Sequence, residues 1–143
     1  MNGADNQDPA ATRPYYRLLG LRTEPGDPPG QSTLVLESRP DLENSRSDVH
    51  GGVIASLLDA AMSVAVRSAL SRAHSATTVS MTINYVTAGR GTLIARGQVV
   101  RRGRTIASVE AKATDSGGNV VAHAVGTMRI IAPQADNRAC ALD

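Results

Sequence analysis

An Asn, a His-Gly-Gly and, deep in an otherwise apolar run, one Asp are set within sixteen residues, 44–59, that read NSRSDVHGGVIASLLD. The stretch 53–66 that begins inside this segment is apolar nearly all round when wound as a helix, so that helix is expected to be largely buried. Asp59 interrupts it, and an acid there is costly unless paired or used, because desolvation disfavours the charged form. Gly51 and Gly52 let the backbone come close to a ligand. The helix start beside them offers unpaired N–H groups and the positive end of the dipole. Donors that polarise a carbonyl, with an acid that activates a nucleophile, are the outline of acyl-transfer chemistry. Each feature also has an ordinary explanation. A Gly-Gly pair is often a flexible lead-in to a helix, and an acid in an apolar helix is often tied to a structural Ser, Arg or backbone N–H.

The elements that must position these groups follow from pattern. Residues 15–21 form a short helical turn closed by Gly20, and a loop rich in Pro and Gly leads to a first strand at 32–38. Residues 39–49 are a loop and 52–70 the long helix. From Thr78 the period falls to two: Val79, Met81, Ile83 and Tyr85 alternate with Thr78, Ser80, Thr82 and Asn84, a half-buried strand. Strands at 92–101, 105–114 and 120–131 follow, joined by a tight hairpin at Arg102-Gly103 and a turn at 115–119. The reading is α+β: one strand, one buried helix, then an antiparallel meander wrapped around it. Residues 1–12 are expected to be a disordered tail, 13–132 the single domain and 133–143 a second tail.

Composition narrows the chemistry. The chain has 143 residues, enough for one domain with a real core, and only 2% aromatic residues, with no Phe or Trp. Small aliphatic side chains must therefore fill the core, which favours close approach of helix and sheet and further burial at a subunit interface. The net charge is +2, and Lys112 is the only lysine. No basic stripe is interleaved with aromatics, so nucleic acid is a poor fit. Cys140 is the only cysteine and His50, His74 and His123 are dispersed, so neither a disulfide, a metal site nor a metal cofactor is expected. The N-terminal residues lack a basic-then-apolar signal and no unbroken apolar stretch reaches 18 residues, so a soluble, cytoplasmic protein without membrane contact is expected.

The order N-x5-H-G-G-x6-D, then TVSMTINY, GQVVRRGRT and DSGGNVVA, resembles hotdog-fold acyl-CoA thioesterases of the phenylacetic-acid-degradation branch. The likeness runs from Tyr15 to Ile131. It implies an antiparallel sheet wrapped around one helix, and hydrolysis of an acyl-CoA thioester without a cofactor. It also implies a homodimer at minimum, commonly paired again as a homotetramer. By position it makes the Gly51 amide and Asn44 the carbonyl-polarising groups and Asp59 the base or nucleophile. Thr78, or its neighbour Thr77, places the water, and His50 shapes the loop or contacts the carbonyl side. One position departs: Ser47 stands where the family usually carries Gly.

Helix geometry adds an independent argument. Gly51 and Asp59 lie eight residues apart, about 12 Å along one helix at 1.5 Å per residue, whereas a general base works within about 3 Å of its proton. Two helices antiparallel across a twofold axis would bring Gly51 of one near Asp59 of the other. The stripe Gly52, Ser56, Asp59 and Ser63 gives a small-residue face able to accept such a neighbour. On the substrate side, Gly52 offers close backbone approach. Arg101, Arg102 and Arg104 flank the Gly103 turn and are candidates for the phosphates of coenzyme A, or else a solvated hairpin tip. Arg67 is a salt-bridge candidate, and His123 is expected to pack or bond structurally rather than react. Two other classes stay open: hotdog dehydratase or hydratase chemistry, and a non-catalytic acyl-CoA binder.

Overall fold

The structure is a computed structural model that describes residues 13–71 and 73–133. The tails expected at 1–12 and 133–143 lie outside the described residues, Pro133 apart. Helix α1 (Pro14–Leu19) starts with Pro at its first turn and stops at Gly20, which takes the left-handed conformation at φ 74°. Strands β1 (Arg22–Thr23) and β2 (Gln31–Glu37) follow, then a 3₁₀ turn (Pro40–Leu42) and helix α2 (Gly51–Ser68). The chain finishes with β3 (Ser75–Tyr85), β4 (Thr92–Arg102), β5 (Ile106–Asp115) and β6 (Val120–Ile131).

Six antiparallel strands form one sheet in the order β1-β2-β4-β5-β6-β3. The α+β hotdog architecture expected from the sequence is therefore present, with two corrections to its topology. β1 was not anticipated, because two residues carry no periodic signal. The expected four-strand meander is only β4-β5-β6: β3 pairs with β6 and occupies the far edge rather than lying beside β4. Two smaller corrections concern boundaries. The hairpin after Arg102 spans three residues, 103–105, closed by a bond from Gly103 N–H to the Ile106 carbonyl. The helix begins at Gly51 rather than after it.

The sheet packs on α2 through small side chains. Strand β5 alternates strictly, with Ala107, Val109, Ala111 and Ala113 buried and Ser108, Glu110 and Lys112 exposed. From α2, Ile54, Leu57, Leu58, Ala61 and Met62 fill the space against Leu34, Leu36, Leu93 and Met128. Helix and sheet approach closely at Gly97, where the Ala61 carbonyl and Ser32 Oγ occupy the space a Cβ would need. Ser32 there donates a 2.6 Å bond to that same carbonyl. By length and mean hydropathy (18 residues, 1.3) α2 is apolar enough to cross a membrane, but here the sheet wraps it and it forms the core.

Candidate functional site

The loop that launches α2 is built from its own side chains. Asn44 Oδ1 accepts from the N–H groups of Arg46 (2.9 Å) and Asp48 (3.2 Å), while Asn44 N–H donates to the Asp48 carbonyl at 2.8 Å. Both partners commit the oxygen of the Asn44 amide, so its NH₂ is left without an acceptor among the described residues and is free to donate. The turn closes through Ser47, whose N–H donates to the Asn44 carbonyl and whose φ is +62°, alone among the described non-glycine residues in being positive. This explains the departure noted in the sequence: the position needs the left-handed conformation that glycine adopts freely. Ser47 adopts it and the turn survives. Asp48 is buried and holds the base of the loop through Arg90 Nε at 2.6 Å, with Arg46 Nε at 3.7 Å.

Four N–H groups open a helix without an internal acceptor, and their fate here is specific. His50 N–H donates to the Leu42 carbonyl, Gly52 donates to His50 Nδ1 at 2.9 Å, and Val53 donates to the His50 carbonyl, which also accepts the first helical bond from Ile54. His50 is therefore the cap of α2. Gly51 N–H is left with no acceptor among the described residues. Gly51 and Asn44 both line a cleft of about 300 Å³, together with Asp48, Ile54 and Tyr85. The two groups assigned to the carbonyl thus come together.

Asp59 and Thr78 form the second cluster. Thr78 donates to Asp59 Oδ1 at 2.6 Å. Strict alternation would have placed Thr78 on the opposite face of β3 from Met81 and Ile83, away from the helix. The register of β3 on β6 shifts between Thr78 and Ser80, and the extra residue, Val79, is pushed outward to 60% exposure. That bulge resets the phase, so Thr78, Met81 and Ile83 all turn to the helix side. Thr78, and not its neighbour Thr77, is therefore the residue that reaches Asp59. Asp59 itself is half-buried, not enclosed as the apolar run suggested, because β3 is an edge strand and leaves one side open.

Other expectations are redrawn. The α2 stripe is partly covered by the chain's own α1: Tyr15 OH donates to Ser56 Oγ (2.8 Å), which donates to the Gly52 carbonyl (2.9 Å). Arg67 makes no salt bridge among the described residues. It is half-buried with its pKa lowered, first by desolvation and then by the nearby Arg13. Arg102 donates to the Ala69 carbonyl at the C-terminal end of α2, where a cation suits the dipole. Arg101 and Arg104 are exposed at the same hairpin, at the opposite end of α2 from Gly51. His123 stands exposed on the outer sheet face rather than packed. A larger cavity of about 540 Å³ lies on that outer face, lined by Arg96, Lys112 and His123, and contains none of the clustered groups around α2. No group of three His, Cys, Asp or Glu side chains fit to hold a metal occurs among the described residues.

Sequence reasoning passed over Tyr85. Its hydroxyl donates to the Gly51 carbonyl at 2.7 Å. The signal was present, since Tyr85 follows Met81 and Ile83 at spacing two in a chain with three aromatics.

Comparison with known proteins bears on this geometry. A sequence model of the Thioesterase superfamily matches residues 47–122. A Halobacterium salinarum protein named as an esterase is 35% identical over 122 residues, covering 77% of this chain and 80% of its own. Among solved structures, the Bacillus halodurans BH2602 protein, determined with CoA, is 33% identical with a TM-score of 0.67, covering 69% of this chain and 66% of that one. The PaaI protein of the Escherichia coli phenylacetic acid degradation operon superposes with a TM-score of 0.79 at 22% identity, over 86% of this chain and 88% of that one.

Proposed function

Since the chain belongs to the thioesterase superfamily, whose members hydrolyse thioesters, we propose that its substrate is an acyl-CoA and that its catalytic groups are Gly51, Asn44, Asp59 and Thr78. The observation that carries this reading is the accounting at the start of α2: three of the four opening donors are satisfied and the Gly51 N–H is spare. A thioester oxygen in the cleft accepts from Gly51 N–H and from the Asn44 amide, and both bonds strengthen as the carbonyl becomes an oxyanion. Thr78 holds Oδ1 of Asp59 and leaves Oδ2 to take a proton from the attacking water. Collapse of the tetrahedral intermediate then releases the acid and the thiol of CoA. The CoA bound in the Bacillus halodurans relative supports that thiol. Arg101 and Arg104 are its phosphate contacts in this reading.

The site is shared between two copies of the chain. Gly51 and Asp59 stand about 12 Å apart on one helix, too far for one carbonyl. β3 supplies the route to a partner. It is an 11-residue edge strand that is mostly exposed, with Val79 and Tyr85 each more than half uncovered and Val86 just beyond it. A second copy paired along β3 completes each site.

The test is release of free thiol from a panel of acyl-CoAs. Thiol release with stoichiometric free acid is the expected result. Enoyl absorbance without thiol would mean dehydration, and binding without either product would mean a non-catalytic protein.

A further inference from the structure

The peptide between Gly51 and Gly52 is held at both ends. Its carbonyl accepts from Tyr85 OH at 2.7 Å and its N–H donates to His50 Nδ1 at 2.9 Å. The spare Gly51 N–H belongs to the neighbouring His50–Gly51 peptide, whose carbonyl accepts from Val53 and Ile54. The two planes meet at the Gly51 Cα, so holding the Gly51–Gly52 plane limits the φ and ψ rotations through which that donor could swing. Tyr85 is also rigidly based. Directly after it, Val86 and Thr87 N–H both donate to the Val121 carbonyl, and Thr87 Oγ1 donates to Val120. The Tyr85 ring lies 3.5 Å from where a Cβ on Gly51 would stand, so it also walls the cleft beside the donor.

One strand therefore braces both halves of the chemistry: β3 holds Asp59 through Thr78 and the donor peptide through Tyr85. We propose that Tyr85 is a positioning residue of the hydrolytic site, which aims the Gly51 N–H by fixing the Gly51–Gly52 peptide. This rests on the thioesterase reading above. Tyr85 does not touch the reacting atoms; it acts through the peptide it holds. An oxyanion donor that swings loses strength mainly in the transition state, so removing the hydroxyl lowers kcat and leaves KM nearly unchanged.

The experiment compares Tyr85→Phe with the wild-type protein and with Tyr16→Phe, which removes a hydroxyl outside this network. Two readouts are taken: kcat and KM by thiol release, and hydrogen exchange of the Gly52 amide by NMR, which needs no substrate. In Tyr85→Phe, Gly52 exchange should rise about tenfold and kcat should fall about fivefold to tenfold. KM should stay within about twofold, with an unchanged oligomer mass and an unaffected Tyr16→Phe control. Unchanged Gly52 exchange overturns the brace. Faster exchange with wild-type kcat overturns its role in positioning, as does an equal loss in Tyr16→Phe. A wild-type protein that hydrolyses no thioester overturns the thioesterase reading and with it any role in rate, while the exchange arm still judges the brace by itself.

Discussion

Thr78 donates a 2.6 Å hydrogen bond to Oδ1 of Asp59, across a face that uninterrupted strand alternation would have denied it. The Val79 bulge makes the contact possible. Thr78→Val keeps the shape of the side chain and removes the donor, and should lower kcat by on the order of tenfold, as loss of a hydrogen bond to a charged group implies. Thr77→Val, on the other side of the strand, should stay within about twofold. Steady-state thiol release on both variants decides it, and equal losses would mean that the bulge does not select Thr78.

Ser47 sits at φ +62°, a region that costs a residue bearing a Cβ about 1–2 kcal/mol. Ser47→Gly removes that strain and adds some freedom to the unfolded chain, so the net stabilisation should be up to about 1 kcal/mol. Chemical denaturation gives the difference directly. Activity should not fall, because the Asn44 turn is held by bonds to Arg46 and Asp48 rather than by Ser47's side chain.

These two positions show where the sequence was readable and where it was not. Asn44, His50, Gly51 and Asp59 could be singled out because a His-Gly-Gly group precedes an apolar run, an acid interrupts that run, and their spacing is local. The helix, the alternation of β5 and the small-residue core were legible for the same reason: period and composition are carried by neighbouring residues. What escaped notice depends on pairing between distant segments. The placement of β3 beside β6 is decided by which edge the crossover reaches, and the Val79 bulge by register against β6, neither of which leaves a local mark. Tyr85 and Tyr15 were missed because their partners, Gly51 and Ser56, lie 34 and 41 residues away. The exposure of Asp59 follows from β3 being an edge, so it could not be read from an apolar helix alone.

Gly97 lies where the sheet meets the helix backbone, with the Ala61 carbonyl in the space of its missing Cβ. Gly97→Ala must push α2 outward or break the Ser32 bond to that carbonyl. Overpacking of this kind costs about 1–3 kcal/mol, so the melting temperature should drop by about 5–10 °C. Calorimetry checks it, and an unchanged Tm would show that helix and sheet have room to spare.

Asp115 receives bonds from the N–H of Asn119 and Gly117 and from the Asn119 side chain, and the Asn119 backbone bond leads in holding its carboxyl below the ordinary value of 3.8. A carboxyl whose pKa is depressed on folding contributes stability above its unfolded value and loses it as pH falls through the folded one. Asp115→Ala should therefore melt earlier than the wild type at pH 7. The gap should narrow as the pH falls below about 4. Melting curves across that range test the sign; a gap that widens in acid would contradict it.

The most direct test of the shared site is complementation between two crippled chains. Gly51→Val crowds the carbonyl donor and Asp59→Asn removes the acid, so each homodimer should retain about 1% of wild-type activity or less. After reversible dissociation and mixing, each heterodimer should carry both lesions in one site and none in the other. It should then regain about half the activity of a wild-type dimer. If mass measurement confirms subunit exchange and activity stays at the level of the parents, Gly51 of one chain does not meet Asp59 of its partner, and the shared site is wrong.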